Sequence, residues 1–200
     1  MRSRDDQKYS RIKPAEQQVD RWRKYHSGRT NAPSQYTTSQ RALRNLQRIS
    51  GSLPSVQMRI TAAEPGKVNF ELPIEKQHTN RLGILHGATL ATMVDTSGSL
   101  ALASRGLYST GVSTDLNVTY LNAGGKIGDL IKGEVICDKF GKTLAYTSVK
   151  FMNKNNEIVA RGSHTKFVAL AWKDERNITG ELEPEVSESQ AREVTRTSFK

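Results

Sequence analysis

The sequence predicts an α+β domain in which an antiparallel sheet of about six strands wraps one long helix. Six stretches carry strand character, and the clearest alternate apolar with polar residues as half-buried antiparallel strands do. Between the second and third of them lies an apolar helical stretch over roughly residues 85–104, stopped by Gly106. Burial supplies the third argument. A single apolar helix among strands is shielded from water only when the sheet curls around it.

Taken in order, residues 37–49, TTSQRALRNLQRI, form a short amphipathic helix with Leu43, Leu46 and Ile49 on one side and arginines elsewhere. In SVQMRITAAEPGKVNFELPI, Val56, Met58 and Ile60 alternate, then Val68, Phe70 and Leu72. Glu64-Pro65-Gly66 separates the two runs, which makes a hairpin. Residues 75–83 form a polar loop before the long helix. Beyond it, GVSTDLNVTYL places Val112, Thr114, Leu116, Val118 and Tyr120 on one face and Ser113, Asp115, Asn117 and Thr119 on the other. That alternation predicts a strand with one face in the core. DLIKGEVICDK, KTLAYTSVKFM and EIVARGSHTKFVAL give three further strands, with turns at Phe140-Gly141 and residues 153–157.

The 200 residues suit one domain with extensions: 1–36, a domain over 37–172, and a polar tail over 173–200. With Cys137 as its one cysteine, the chain has no intrachain disulfide framework and fits a reducing compartment. No apolar run reaches the roughly 18 residues that a spanning helix needs. The net charge of +10 is uneven. Residues 1–50 hold twelve Lys/Arg against four Asp/Glu, a surplus of eight. The first 36 residues are polar, contain Pro14 and Pro33, and bury little, so they are expected to be disordered or ordered only by a partner. One reading is a mitochondrial targeting segment, although Asp5, Asp6, Glu16 and Asp20 are more acid than such segments carry. Another is an arm that binds a polyanion, such as RNA or a membrane surface. A third is a solvated extension without a partner.

The long helix holds one carboxylate, Asp95. On a helical wheel it shares a face with Ala88, Ala91, Thr92, Gly98 and Ser99, opposite Leu90, Met93, Val94, Leu100 and Ala101. Small neighbours let a backbone or ligand approach closely, so Asp95 serves as a base or hydrogen-bonds a facing loop. His86-Gly87 stands at the helix N-terminus, where unpaired N–H groups and the positive end of the macrodipole can polarise a carbonyl oxygen. The alternative is a packing glycine beside a histidine satisfied by its own loop. Nine residues turn a helix by about 900°, so Asp95 points away from His86 and the two cooperate on one bond only if a second copy supplies one of them.

KQHTNRLGILHGATLATMVD, GVSTDLNVTYL, KFGKTLAYTSVKFMNK and ARGSHTK, in that order, resemble the hotdog-fold acyl-CoA thioesterases, including their phenylacetate-pathway branch, over roughly residues 38–170. The resemblance implies a long helix wrapped by an antiparallel sheet, dimers joined edge to edge, often paired into tetramers, and hydrolysis of acyl-CoA to a free acid and coenzyme A. By position it implies that Asn80 and the Gly87 amide polarise the thioester carbonyl, with His86 holding that segment. Asp95 of the neighbouring subunit would activate water with help from Ser113. Coenzyme A contacts would fall to Lys76, to the segment from Tyr120, Leu121 and Asn122 to Gly125, and to Lys139, Gly141, Lys142 and Thr143. No metal and no cofactor beyond the coenzyme A of the substrate is implied. The chain departs from the family pattern in having Ala88 after Gly87, an extra residue in NAGGKIG (122–128), and the basic N-terminal arm.

Competing readings remain at this stage. One is a hotdog dimer without catalysis, docked by its basic arm on an RNA–protein assembly such as a mitochondrial ribosome. Another is a dehydratase of the same fold, which the HG…D arrangement disfavours. His164 is expected to be structural or to edge a cofactor, and His78 and His26 to be solvated. Cys137 is expected in the core, and Trp22 and Trp172 could anchor a partner. No phosphate-binding glycine loop is present.

Overall fold

A computed structural model describes residues 38–51 and 56–182. Helix α1 (Thr38–Ser50) leads into strands β1 (Arg59–Glu64) and β2 (Lys67–Pro73), a 3-10 turn (Lys76–His78) and the long helix α2 (Gly87–Ser104). Strands β3 (Val112–Tyr120), β4 (Leu130–Phe140), β5 (Leu144–Met152) and β6 (Ile158–Phe167) follow, then a second 3-10 turn (Ala171–Lys173) and a short helix α3 (Thr179–Leu182). The strands form one antiparallel sheet in the order β1-β2-β4-β5-β6-β3. Four of the six expected strands fall within two residues of their anticipated bounds, and the last, expected over 157–170, ends at Phe167. In the first, Val56 and Met58 are buried but precede the strand, which begins at Arg59.

Helix α2 is apolar nearly all round and lies against the concave face of the sheet. Leu90, Met93, Val94, Leu100 and Ala101 are buried, as the wheel requires, and join Phe70, Leu72, Val135, Val149 and Phe151 in one core. Phe70 and Phe151 meet edge to face at 6.1 Å. The room for Phe70 comes from Gly133 on the neighbouring strand, where a Cβ would come within 2.2 Å of the ring. Burying these side chains is the main source of stability, at about 1.5–3 kcal/mol for each large aliphatic or aromatic residue. Gly106 ends α2 with φ of 98°, a conformation that glycine adopts without strain.

Two sequence expectations need correction here. Residues 173–182 do not belong to a polar tail: Ile178 and Leu182 are buried in the main core, and the Ile178 N–H donates to the Gly106 carbonyl. The isolated apolar residues of that stretch were too few to show a periodicity. β3 turns its apolar face only partly into the core, where Val118 packs. Val112 is 64% exposed, Leu116 38% and Tyr120 53%, and Ser113, Asp115 and Asn117 on the other side are exposed too. A bulge between Ser113 and Asp115 breaks the alternation, and β3 is the edge strand beyond β6. Beyond Val118, its apolar face is a real pattern left largely uncovered by the described residues. The N-terminal arm, with His26 and Trp22, lies outside the described residues, as does most of the C-terminal segment.

Candidate active site

Two sets of functional groups lie along α2. The first gathers at its N-terminus. His86 is the N-cap: its Nδ1 accepts from the Ala88 N–H at 2.9 Å, and its own N–H donates to the His78 carbonyl. The Gly87 N–H has no acceptor among the described residues, as expected of a first-turn amide. The Asn80 Oδ1 accepts from the Leu82 and Ile84 amides, which folds the loop 80–85 into a tight turn and leaves Nδ2 as its spare donor. Tyr120, from β3, donates its hydroxyl to the Gly87 carbonyl at 2.9 Å. Asn80, His86, Gly87 and Tyr120 are therefore brought together by one turn and one strand end. His78 is not solvated: it is 3% exposed, its Nδ1 accepts from the Glu75 N–H, and its carbonyl accepts from Thr89.

The second set lies two turns further along. Asp95 is half exposed, and its Oδ1 accepts from the Ser113 hydroxyl at 2.8 Å. Ser113 Oγ lies 2.9 Å from Nε2 of His164, which is itself 3.3 Å from the same Asp95 oxygen. His164 is 1% exposed, and its Nδ1 is buried without a partner. A buried lone pair costs less than a buried N–H, so the proton belongs on Nε2 and the bonds run from His164 to Ser113 to Asp95. Burial and the nearby Lys166 ammonium hold His164 below its ordinary pKa, against the pull of Asp95 and Asp115, which favours the neutral ring. Lys166 is itself pushed down by burial, with Asp95 opposing. The ring fits only because residue 98 is glycine: a Cβ there would stand 2.5 Å from His164 Nδ1. His164 thus belongs to the site and does not merely edge it. The HTK triplet gave no sign of this, because Asp95 and His164 meet only when β6 is laid over α2.

The residues expected to hold coenzyme A fall into two groups. Lys76, Tyr120, Leu121 and Asn122 lie near the N-terminus of α2, where Leu121 and Asn122 donate to the Val159 carbonyl. Lys139, Gly141, Lys142 and Thr143 form the β4–β5 turn. That turn packs near the other end of α2: Trp172 donates to the Gly141 carbonyl at 3.0 Å, and Arg105 lies over Phe140 at 4.9 Å. The helix has 18 residues, about 27 Å, and the two groups lie towards its opposite ends. Trp172 is held by this turn and by Phe140, 4.9 Å away between ring centroids. Cys137 is part-buried with its thiol pushed up to about 11 by burial, which leaves it a poor nucleophile. Among the described residues no cluster of metal-ligating side chains is present.

The helix wrapped by a six-stranded antiparallel sheet is the hotdog fold. The model of the thioesterase superfamily matches residues 82–160. A protein of Schizosaccharomyces pombe, provisionally named an esterase, is 48% identical over 120 residues, covering 60% of this chain and 74% of its own. Human acyl-coenzyme A thioesterase 13 is 41% identical over 124 residues, covering 62% and 84%. Among solved structures, zebra fish thioesterase superfamily member 2 superposes with a TM-score of 0.57 at 38% identity, covering 62% of this chain and 93% of that one. A Streptococcus mutans protein solved with acetyl CoA gives a TM-score of 0.52 at 25% identity, covering 55% and 86%. The chain belongs to the thioesterase superfamily and is a thioester hydrolase.

Proposed function

We propose that the chain hydrolyses acyl-CoA thioesters to the free acid and coenzyme A, as a homodimer or a homotetramer, with each site shared between two copies. The observation that carries this reading is the fixed, half-exposed Asp95 carboxylate, held by Ser113 and through it by His164. The Asn80 amide and the Gly87 N–H receive the thioester carbonyl oxygen and stabilise the oxyanion that forms there. Asp95 takes a proton from water as its oxygen attacks the carbonyl carbon. The tetrahedral intermediate collapses with cleavage of the C–S bond, and the proton passes from Asp95 to the departing thiolate. A thioester carbonyl is electrophilic enough that one base and one oxyanion site suffice, with no metal or resident cofactor.

Within one chain Asp95 is eight residues, about 12 Å of helix, beyond Gly87, too far for both to act on one carbonyl. A second copy pairing along the exposed edge of β3 supplies the missing half, and the same pairing would bring the two coenzyme A groups of residues to one nucleotide. The reading is supported by relatives named as acyl-CoA thioesterases and by a related structure that holds acetyl CoA. The test is thiol release from acyl-CoAs graded from acetyl to palmitoyl, with one aryl example. Asp95→Asn should lower turnover by about 10²–10⁴-fold, the usual worth of a general base. Undiminished turnover in the variant would remove Asp95 from the mechanism.

The arm supports a second role beside the first. Its surplus of cations favours docking to an RNA–protein assembly, such as a mitochondrial ribosome, and a mitochondrial location. Deleting residues 1–36 should leave acyl-CoA turnover intact and abolish salt-sensitive association with RNA. If association survives the deletion, the arm is not the docking element.

A further inference from the structure

Strand β6 turns Gly162, His164 and Lys166 towards α2. A Cβ at Gly162 would meet Val94, His164 lies against Gly98, and Lys166 is only 4% exposed. Lys166 pairs with Ser113 of β3 on one side and with Ala145 of β5 on the other. The bulge between Ser113 and Asp115 brings Ser113 to this same face, beside Leu116 and Val118, which pair with His164 and Gly162. Lys166 therefore stands across from Ser113 and two positions from His164, the two residues that lie against Asp95. Asp95 is the one charge that α2 carries, β5 offers Ala145 and Thr147, and Asp115 acts on His164 from the outer face of β3. The Lys166 ammonium makes no hydrogen bond or close ion pair among the described residues. Burial pushes its pKa down, and Asp95 opposes this without touching it.

A buried charge without a contact partner destabilises a fold. Lysine stems do cover apolar surface, but they leave the head group in water, and here the whole residue is buried. Methionine would fill the same space without desolvating a cation, so packing does not explain the residue. What Lys166 offers is positive charge held near a base and out of contact with it. In the proposed reaction an acyl chain displaces water from around Asp95. A carboxylate that loses its water and has no cation nearby takes up a proton, and then it cannot accept one from the attacking water. A contact ion pair would prevent this but occupy the carboxylate oxygens. Lys166 acts from a distance, so Asp95 Oδ1 accepts from Ser113 and Oδ2 has no protein donor among the described residues. After burial, the same ammonium is what disfavours a second positive charge on His164, which keeps the ring a donor to Ser113 through Nε2 alone.

We propose that Lys166 is a positioning residue of the thioester site, a buried counter-charge that keeps Asp95 ionised and the bonds from His164 through Ser113 in one direction when substrate covers the site. The inference rests on the reading of Asp95 as the base. It implies a trade-off in which one cation lowers the stability of the fold and raises turnover.

The test compares the full-length unaltered protein with Lys166→Met, Lys166→Arg and Asp95→Asn, in acyl-CoA turnover from about pH 5 to 9 and in chemical denaturation. Lys166→Met should lose about tenfold or more in kcat at neutral pH with a smaller change in KM, and the acid limb of its profile should move to higher pH. It should unfold at no lower denaturant concentration than the unaltered protein, because an apolar side chain replaces a desolvated charge. The His164 ring, followed by nuclear magnetic resonance, should take up its proton at higher pH in this variant. Lys166→Arg keeps the charge and should bring the acid limb back. An unmoved profile with kcat intact, an acid limb that arginine does not restore, or turnover lost only in step with stability would overturn the assignment. If Lys166→Met does not fold, Lys166→Gln takes its place, and failure of both makes the residue structural and overturns the proposal too. Asp95→Asn separates the two claims. An inactive Asp95→Asn beside a fully active Lys166→Met removes this inference alone, whereas full turnover by Asp95→Asn removes the proposed base and the role of Lys166 with it.

Discussion

His164 shows how a residue without a visible role in sequence can organise a site. It is buried among strands, it keeps its neutral form by desolvation and by Lys166, and it reaches Asp95 through the Ser113 hydroxyl. Its state has a consequence for stability. With the folded pKa held below the ordinary value near 6.5, the unfolded chain binds a proton at this position in a range where the folded chain does not. The stabilising contribution is therefore complete above pH 6.5 and declines as pH falls from there towards the lowered folded pKa. Chemical denaturation between pH 7.5 and 5 should show stability falling by up to about 1.4 kcal/mol per pH unit from this one group, the limit for one proton. His164→Gln should flatten that slope and lower turnover about tenfold or more through loss of Ser113 positioning, with a smaller change in KM. An unchanged slope would mean that folding does not lower the His164 pKa. Asn80, Gly87, Asp95 and Ser113 could be nominated through the family resemblance, whose blocks also include the ARGSHTK segment that holds His164. The partnership of His164 could not be read there, since it depends on the register of β6 against β3 and on the space left by Gly98.

Among the elements, β3 carries the most information. The sequence pattern was sound, with apolar side chains on alternate positions, but periodicity reports that a face is apolar and not which molecule covers it. Exposed Val112, Leu116 and Tyr120 on an edge strand are a liability unless another chain pairs there. Leu116→Lys places charge in the middle of that face without touching Asp95, Ser113 or the intrachain core. The variant should run as a monomer by light scattering and lose at least 100-fold in turnover while keeping its far-ultraviolet spectrum. A monomer of full activity would show that one chain is sufficient. The other elements were legible for simple reasons: α2 is mostly apolar, the hairpin is announced by Pro65-Gly66, β5 alternates cleanly, and β4 alternates as far as Ile136. The contribution of residues 173–182 was not, because two apolar residues in a polar stretch have no period, and their burial depends on Gly106 accepting the Ile178 amide.

At the scale of the whole molecule, the two halves of the proposed catalytic equipment stand at different heights on one helix, and this makes a sharp prediction about assembly. If Asn80 and Gly87 of one copy work with Asp95 and Ser113 of the other, each dimer has two sites and each site draws on both chains. Asn80→Ala and Asp95→Asn should each be nearly inactive alone. In a mixed dimer of the two, one site combines the altered Asn80 position of one chain with the altered Asp95 position of the other and is doubly impaired. The remaining site then has an intact Asn80 from the second chain and an intact Asp95 from the first. Random exchange makes half of the dimers mixed, each with one working site of two, so the mixture should recover about a quarter of the unaltered activity. Sites complete within a single chain give no recovery, because every chain in the mixture carries one lesion. Mixing after brief denaturation and refolding, with turnover compared before and after exchange, measures the difference directly.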